Sequence, residues 1–246
     1  MTPGQQPATV ILSPHFDDAV LSLAGLIPQL PGPVTVVTVY GGEPGSHHPV
    51  SWWDSVCGFS TAREAYGARR VEDERACGLL GVESVALHHP DGPYFDGTEL
   101  TAIDTCLAEL APETQLLIPL STNQQDHQKV RDRALTVIEK LGRPLPLLYA
   151  DLPYTGHLDE WGSPEVDHAL GRSHRYGLAY QDMTERHELR PVHDLVLTDD
   201  QWALKREAVL CYSSQLAALA TDHGMLTART GPLRAERVWA AGAEGR

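Results

Sequence analysis

Residues Thr9-Val10-Ile11-Leu12-Ser13-Pro14-His15-Phe16-Asp17-Asp18-Ala19-Val20-Leu21 decide how the rest of the chain is read. The run from Ala8 to Leu12 is apolar and β-branched, which predicts a buried strand that Ser13 and Pro14 bring to an end. Ala19, Val20, Leu21, Leu23, Ala24, Leu26 and Ile27 recur at helical spacing, so a helix starts at or just after the carboxylates. One imidazole and two adjacent carboxylates therefore fall in a strand-to-helix turn. In an open α/β sheet that turn lies at the carboxyl end of its strand, where ligands bind.

A neutral imidazole and a carboxylate three residues apart can reach one divalent ion from a tight turn. His15 and Asp18 would supply two ligands of a two-nitrogen, one-carboxylate shell, and Asp17 would take a proton from the activated water. The same residues also suit a plainer role, with Asp17 or Asp18 capping the helix and His15 an ordinary loop histidine. A second stretch bears on the choice. Thr114 to Leu120 predicts another buried strand, Ser121 to His127 a polar loop, and Val130, Ala134, Val137, Ile138 and Leu141 a helical stripe closed by Gly142. If the two strands are parallel neighbours, His127 faces the same crevice as His15 and Asp18, and Asp126 can orient a histidine there.

Outward from these two turns the pattern repeats. Val34 to Tyr40 is the strongest strand signal, and strand-helix-strand within this span predicts a βαβ unit. Residues 41–60 have no periodicity but carry His47, His48, Trp52, Trp53 and Phe59, suited to a sugar-facing wall or to covering the sheet. A helix over 61–80 carries Arg69 and Glu72 on one face, which reads as an ion pair. A strand over 84–88 leads to His89-Pro90-Asp91-Gly92, where Asp91 can bind sugar hydroxyls or simply make the turn. A helix over 98–110, a strand over 145–152 and a last strand over 192–197 follow. Between them, 153–191 reads as a polar insertion over the metal, containing His157, Asp159, Asp167, His168 and His174, just after Asp151. Asp199-Asp200 opens a helix striped by Trp202, Lys205, Val209, Tyr212, Leu216 and Leu219, and 240–246 reads as frayed.

Composition narrows the partners. The chain has 246 residues, 42% of them hydrophobic, and a formal net charge of −14. That field repels phosphate polymers and anionic membranes, so neither nucleic acid nor a membrane surface is expected as partner. No apolar run approaches the length of a membrane helix, and Met-Thr-Pro-Gly-Gln-Gln-Pro lacks the basic and apolar regions of a signal peptide, so the expected location is cytoplasmic. Cys57, Cys77, Cys106 and Cys211 are isolated and read as free thiols. The first turn has no glycine-rich phosphate loop, and its carboxylates would repel a pyrophosphate.

Pro14-His15-Phe16-Asp17-Asp18 with Asp126-His127 resembles the N-acetylglucosaminyl-phosphatidylinositol deacetylase family, the LmbE-like (PIG-L) zinc deacetylases, which carry a His-Pro-Asp-Asp loop and a later His-x-Asp-His. Arg69-Arg70-Val71-Glu72 running to Leu80-Gly81-Val82, Pro90-Asp91-Gly92, and Lys205 through Tyr212-Ser213-Ser214-Gln215 are similar to further family motifs in the same order, over roughly residues 8–238. The resemblance implies Zn2+, with Fe2+ or another divalent metal as alternatives, on His15, Asp18 and His127. It also implies Asp17 as general base and Arg69 as a substrate contact. Two residues depart from the family pattern: Phe16 replaces a proline, and Gln124 replaces the first histidine of His-x-Asp-His. Glutamine can donate a hydrogen bond to an oxyanion but cannot deliver a proton, a loss typically of about 10²–10⁴ in rate. His88, His89, His157, His174 and His193 are candidate substitutes.

The expected protein is a single α/β domain spanning 1–246. It is a Rossmann-like three-layer sandwich with a mostly parallel sheet and a metal site at the carboxyl ends of its strands. Its expected activity is removal of an N-acetyl group from an amino sugar or related small metabolite, and assembly into a homo-oligomer is an option. The rival readings are hydrolysis of another amide, ester or carbamoyl bond, prompted by Gln124, and a non-catalytic sugar-binding relic.

Overall fold

The structure, a computed structural model, describes residues 7–95, 97, 99–224 and 226–242. In chain order it runs β1 (Thr9–Ser13), α1 (Asp18–Leu23), β2 (Val34–Thr38), α2 (Trp52–Val56), α3 (Ala62–Leu80), β3 (Glu83–Ala86), α4 (Thr101–Glu109), β4 (Gln115–Pro119), α5 (Gln125–Leu141) and β5 (Leu147–Tyr149). It continues with α6 (Val166–Leu170), α7 (Leu178–Thr184), β6 (Glu188–Val196), α8 (Asp199–Val209), α9 (Ser213–His223) and β7 (Ala235–Gly242).

The strands form one sheet in the order β3-β2-β1-β4-β5-β7-β6. The first five are mutually parallel, and β7 runs antiparallel to both its neighbours. Alternation along β1 sends Ile11 to one face and Val10 and Leu12 to the other. The Ile11 face packs under α1, α8 and α9, and the opposite face under α4 and α5, which gives three layers. The chain builds outward from β1 through β2 to β3, then returns to lay β4 on the other side of β1. This reversal opens a crevice at the carboxyl ends of β1 and β4, as anticipated if the two strands were neighbours.

Several boundaries differ from expectation, for identifiable reasons. The apolar stripe from Trp202 to Leu219 is two helices, broken at Leu210–Tyr212. The Glu72 carboxylate takes up the start of α9, accepting from Ser213 Oγ at 3.0 Å, Ser214 N at 2.8 Å and Ser214 Oγ at 2.6 Å. Glu72 is therefore not the ion partner of Arg69. Residues 240–242, expected to fray, belong to β7, while 243–246 lie outside the described residues, as does Thr98 at the expected start of α4. The stretch 41–60 contains the short helix α2, capped by the Ser51 side chain, which accepts from Asp54 N at 3.1 Å. Most of 153–191 does not lie over the crevice: Val166, Leu170, Tyr180 and Met183 pack into the core on the α4/α5 face, and Asp167 accepts from Trp239 Nε1 at 2.9 Å. All four cysteines are free, and no helix among the described residues is long and apolar enough to cross a membrane.

Candidate active site

The turn after β1 is held by Ser13. Its hydroxyl donates to the His15 carbonyl at 2.6 Å and accepts the Ala19 N–H at 3.0 Å, so a serine does the work of a cap. Asp17 occupies the N-cap position of α1, yet its side chain makes no capping bond. Asp18 folds back, its Oδ2 accepting from the His15 N–H at 2.8 Å. The capping role open to these carboxylates in the sequence is therefore not the one they adopt.

β4 delivers His127 to the first turn of α5, directly beside this loop. Asp18 Oδ2 lies 3.1 Å from His15 Nδ1 and 3.1 Å from His127 Nε2. The three donor atoms fall within 4.8 Å of one another. His127 is fully buried, and its Nε2 makes no hydrogen bond, an unusual state for a buried polar atom. Its other nitrogen, Nδ1, is 2.7 Å from Asp151 Oδ1. Asp151 follows β5 at the same sheet edge, and its Oδ2 accepts from Ser121 N at 2.5 Å and Thr122 N at 3.2 Å. Ser121 reaches this arrangement with φ at 76°, in the left-handed region. The sequence reading assigned Asp151 no role of its own. The signal available was its position, two residues past the end of β5 at the edge where the other motifs gather.

Asp126 turns to His15 rather than to its sequence neighbour: its Oδ2 is 3.8 Å from His15 Nε2, with Asp91 Oδ1 at 3.4 Å from the same nitrogen. Asp91 is held by Arg69, whose Nη1 donates to its Oδ2 at 2.9 Å, while Nη2 of Arg69 pairs with buried Asp54 of α2. Tyr94 donates its hydroxyl proton to the same Asp54. Gly42 lets this corner close, because a side chain there would run into the backbone of His88 and His89. Arg69 and Asp91 thus act as one unit on the rim of the site.

The electrostatics follow from this crowding. Burial, then the neighbouring Asp18 charge, pushes Asp17 up to about 7 against the pull of His15 and Arg69. Burial works to raise Asp18 too, but His127 and His15 more than reverse it and hold it well below the usual carboxylate range. The nearby His15 imidazole, with Lys129 at 3.0 Å, carries Asp126 down to about 2.

His15, Asp17 and Asp18 floor a cavity of about 450 Å³, with Arg69, Asp91 and Asp126 on its wall. Trp53 contributes to the wall and donates Nε1 to Gln215 Oε1 at 2.8 Å, whereas Trp52 is 73% exposed. Gln124 lines the cavity as the N-cap residue of α5, its Nε2 donating to Tyr154 Oη at 3.4 Å. None of the five candidate histidines lines the cavity among the described residues; His89 instead accepts the Ala102 N–H at 3.1 Å. Among the described residues, the histidine that lines it besides His15 is His223 of α9, which the sequence does not single out.

The profile of the GlcNAc-PI de-N-acetylase family, PIG-L, matches residues 10–138. No curated protein matches the chain. Among solved structures, the chain is similar to Dbv21, the deacetylase of the A40926 pseudoaglycone, at 24% identity and TM-score 0.72, covering 98% of each chain. It is similar to the zinc-inhibited form of the teicoplanin deacetylase Orf2 at 20% identity and TM-score 0.71, covering 97% of this chain and 100% of that one. It also shares its fold with GalB, a 4-carboxy-2-hydroxymuconate hydratase of Pseudomonas putida, at 16% identity and TM-score 0.56, covering 98% of each. A hydratase on the same fold means that the site, not the fold, must carry the functional argument.

Proposed function

The chain belongs to the GlcNAc-PI de-N-acetylase (PIG-L) family, and on that premise we propose that it is a divalent-metal-dependent hydrolase removing the N-acetyl group from an amino sugar or a related small metabolite. One observation carries the reading. Three candidate ligand atoms from two distant loops converge beside the Asp17 carboxylate, at the floor of a cavity large enough for a sugar.

Two imidazole nitrogens and one carboxylate oxygen suit zinc or ferrous iron, and the orphaned Nε2 of buried His127 fits a ligand role. A divalent cation there supplies an acidified water and an electrophile for the acetyl oxygen. Asp17, whose side chain makes no capping bond, accepts the proton of the attacking water. Asp151 fixes the His127 tautomer by accepting a hydrogen bond from its Nδ1–H, which leaves the lone pair on Nε2. Asp91 and Asp126 face the Nε2 of His15 at 3.4 Å and 3.8 Å, and their charge favours a proton on that nitrogen rather than on Nδ1. The Arg69–Asp91 pair offers donors and an acceptor to sugar hydroxyls, and the Gln124 amide can donate to the oxyanion. Gln124 favours one second reading, an acyl bond whose leaving group departs without a proton, such as an activated ester.

The test is elemental analysis with acetate release from a panel of N-acetyl amino sugars, for the wild type and His127→Ala. About one metal per chain in the wild type, lost together with acetate release in the variant, is the expected result. A variant that keeps full metal and turnover removes the proposed site. A reconstituted wild type that releases acetate from no amide but cleaves activated esters selects the second reading.

A further inference from the structure

Glutamine at position 124 leaves the departing nitrogen without a proton source at the place where the family carries a histidine. The cavity holds another imidazole. His223, the last residue of α9, lines it together with Gln124 and Tyr154. Nδ1 of His223 is 2.8 Å from Nε2 of His157, and the two rings stack with centroids 5.1 Å apart. His157 is backed by Tyr176, stacked at 5.9 Å. Tyr154 stands edge-on to both imidazole systems, 5.6 Å from the ring of His127 and 5.2 Å from that of His223. His223 is thus one aromatic ring removed from a metal ligand, against the same tyrosine that Gln124 touches.

We propose that the His157–His223 pair is the proton donor to the departing amine, with His223 the catalytic residue and His157 its positioning residue. The inference rests on the deacetylase reading. Two imidazoles joined by one N–H···N bond share a single added proton and resist a second, since two cations would then stand 2.8 Å apart. In the singly protonated pair the bridging proton occupies that bond, so His223 must carry its remaining proton on Nε2. That proton passes to the amide nitrogen as the C–N bond breaks. The bonding electron pair goes to nitrogen, the acetyl group leaves with the oxygen of the attacking water as acetic acid, which gives its proton to solvent, and the pair is left neutral. Asp17 returns the proton it took to solvent, and the pair draws its next one from solvent. Among the described residues, the other titratable or charged groups around the pair are Asp222 on the same helix, Tyr154, Tyr176 and Arg175. Burial, with the neighbouring imidazole, lowers His223, and burial with Arg175 lowers His157, so the cationic pair is a stronger acid than a free imidazolium.

The experiment compares an N-acetyl amino sugar, whose amine must be protonated to leave, with 4-nitrophenyl acetate, whose phenolate need not be. On the metal-loaded protein, His223→Ala is expected to lower kcat for the amide by about 10²–10⁴-fold with KM little changed, and to affect the ester far less. His157→Gln should show a smaller loss of the same kind. Gln124→His added to His223→Ala should restore amide turnover, which no repair of folding would do. Equal losses on amide and ester, or a His223→Ala enzyme as fast as wild type on the amide, overturn the proposal while leaving the deacetylase reading in place. A wild type that hydrolyses no amide overturns both. Imidazole NMR gives a readout without turnover: the two histidines should take up one shared proton, and in His157→Gln the pKa of His223 should rise. Two independent titrations overturn the pairing.

Discussion

His127 and Asp151 stand 24 residues apart in the chain, on different elements, yet their Nδ1 and Oδ1 atoms are 2.7 Å apart with both side chains buried. The pair fixes which nitrogen of His127 is free. Asp151→Asn keeps the shape but can present an N–H to Nδ1, which drives the imidazole proton onto Nε2, the ligand atom. Metal affinity is expected to fall about 10–100-fold with the fold intact. Competition with a chelating dye measures it, and an unchanged affinity would deny Asp151 its orienting role.

Loading should release protons. Burial alone would lower His127, but the Asp18 and Asp151 carboxylates outweigh it and carry the imidazole from 6.5 to about 9. His15 moves the same way, raised well above its ordinary value because Asp126 and Asp18 overcome burial. A metal takes only neutral imidazole, so affinity should climb as pH rises through this range. The metal-free fold runs the opposite way. A raised pKa stabilises the folded state fully below about 6.5, and that contribution fades as pH rises through about 9. The gap in Tm between loaded and metal-free protein should therefore widen with pH. Calorimetry in two buffers of different ionisation heat counts the protons, and none released near neutrality would contradict the scheme.

Asp17→Asn removes the proposed base while sparing all three proposed ligand atoms. Full metal content with kcat lower by about 10²–10⁴-fold is expected. Loss of metal in this variant would instead make Asp17 a ligand, and undiminished turnover would assign the base elsewhere.

Lys205 and Glu236 form an ion pair with no solvent exposure, Nζ to Oε1 at 2.7 Å. Glu236 also accepts the N–H groups of Gly25 at 2.8 Å and Leu26 at 2.7 Å, tying β7 and α8 to the end of α1. Glu236→Ala strands a buried ammonium and two backbone donors, for an expected loss of about 3–5 kcal/mol in urea unfolding. Combining it with Lys205→Met should cost less than the two changes summed, and strict additivity would show that the pair does not interact.

The parallel half of the sheet was legible because each strand is a short apolar run followed by an amphipathic helix, and the chemistry sits in the turns between them. The meeting of the two polar loops at one crevice, with Gln124 on its wall, follows from that arrangement. What escaped is what depends on long-range pairing. β7 opens with Glu236 and Arg237, which on sequence alone argue for a surface. They are buried only because Lys205, Asp167 and Asp194 reach them from other elements. The split between α8 and α9 is equally invisible locally, since the apolar stripe runs through it and the break is imposed by Glu72 from α3. The pairing of Arg69 with Asp54 and Asp91, rather than with Glu72, has the same origin.

The position of β7 inside the sheet sets an order of events during synthesis. β5 bonds β4 on one side and β7 on the other, and β7 also carries β6. The parallel strands leave the ribosome first, and β5 waits for its second neighbour for roughly 5–15 seconds at ordinary elongation rates. Throughout that interval the segment carrying Asp151 hangs from an unpaired edge, the kind of edge that recruits other chains. The nascent protein is therefore exposed to chaperones and to its own copies while the support for His127 is still incomplete.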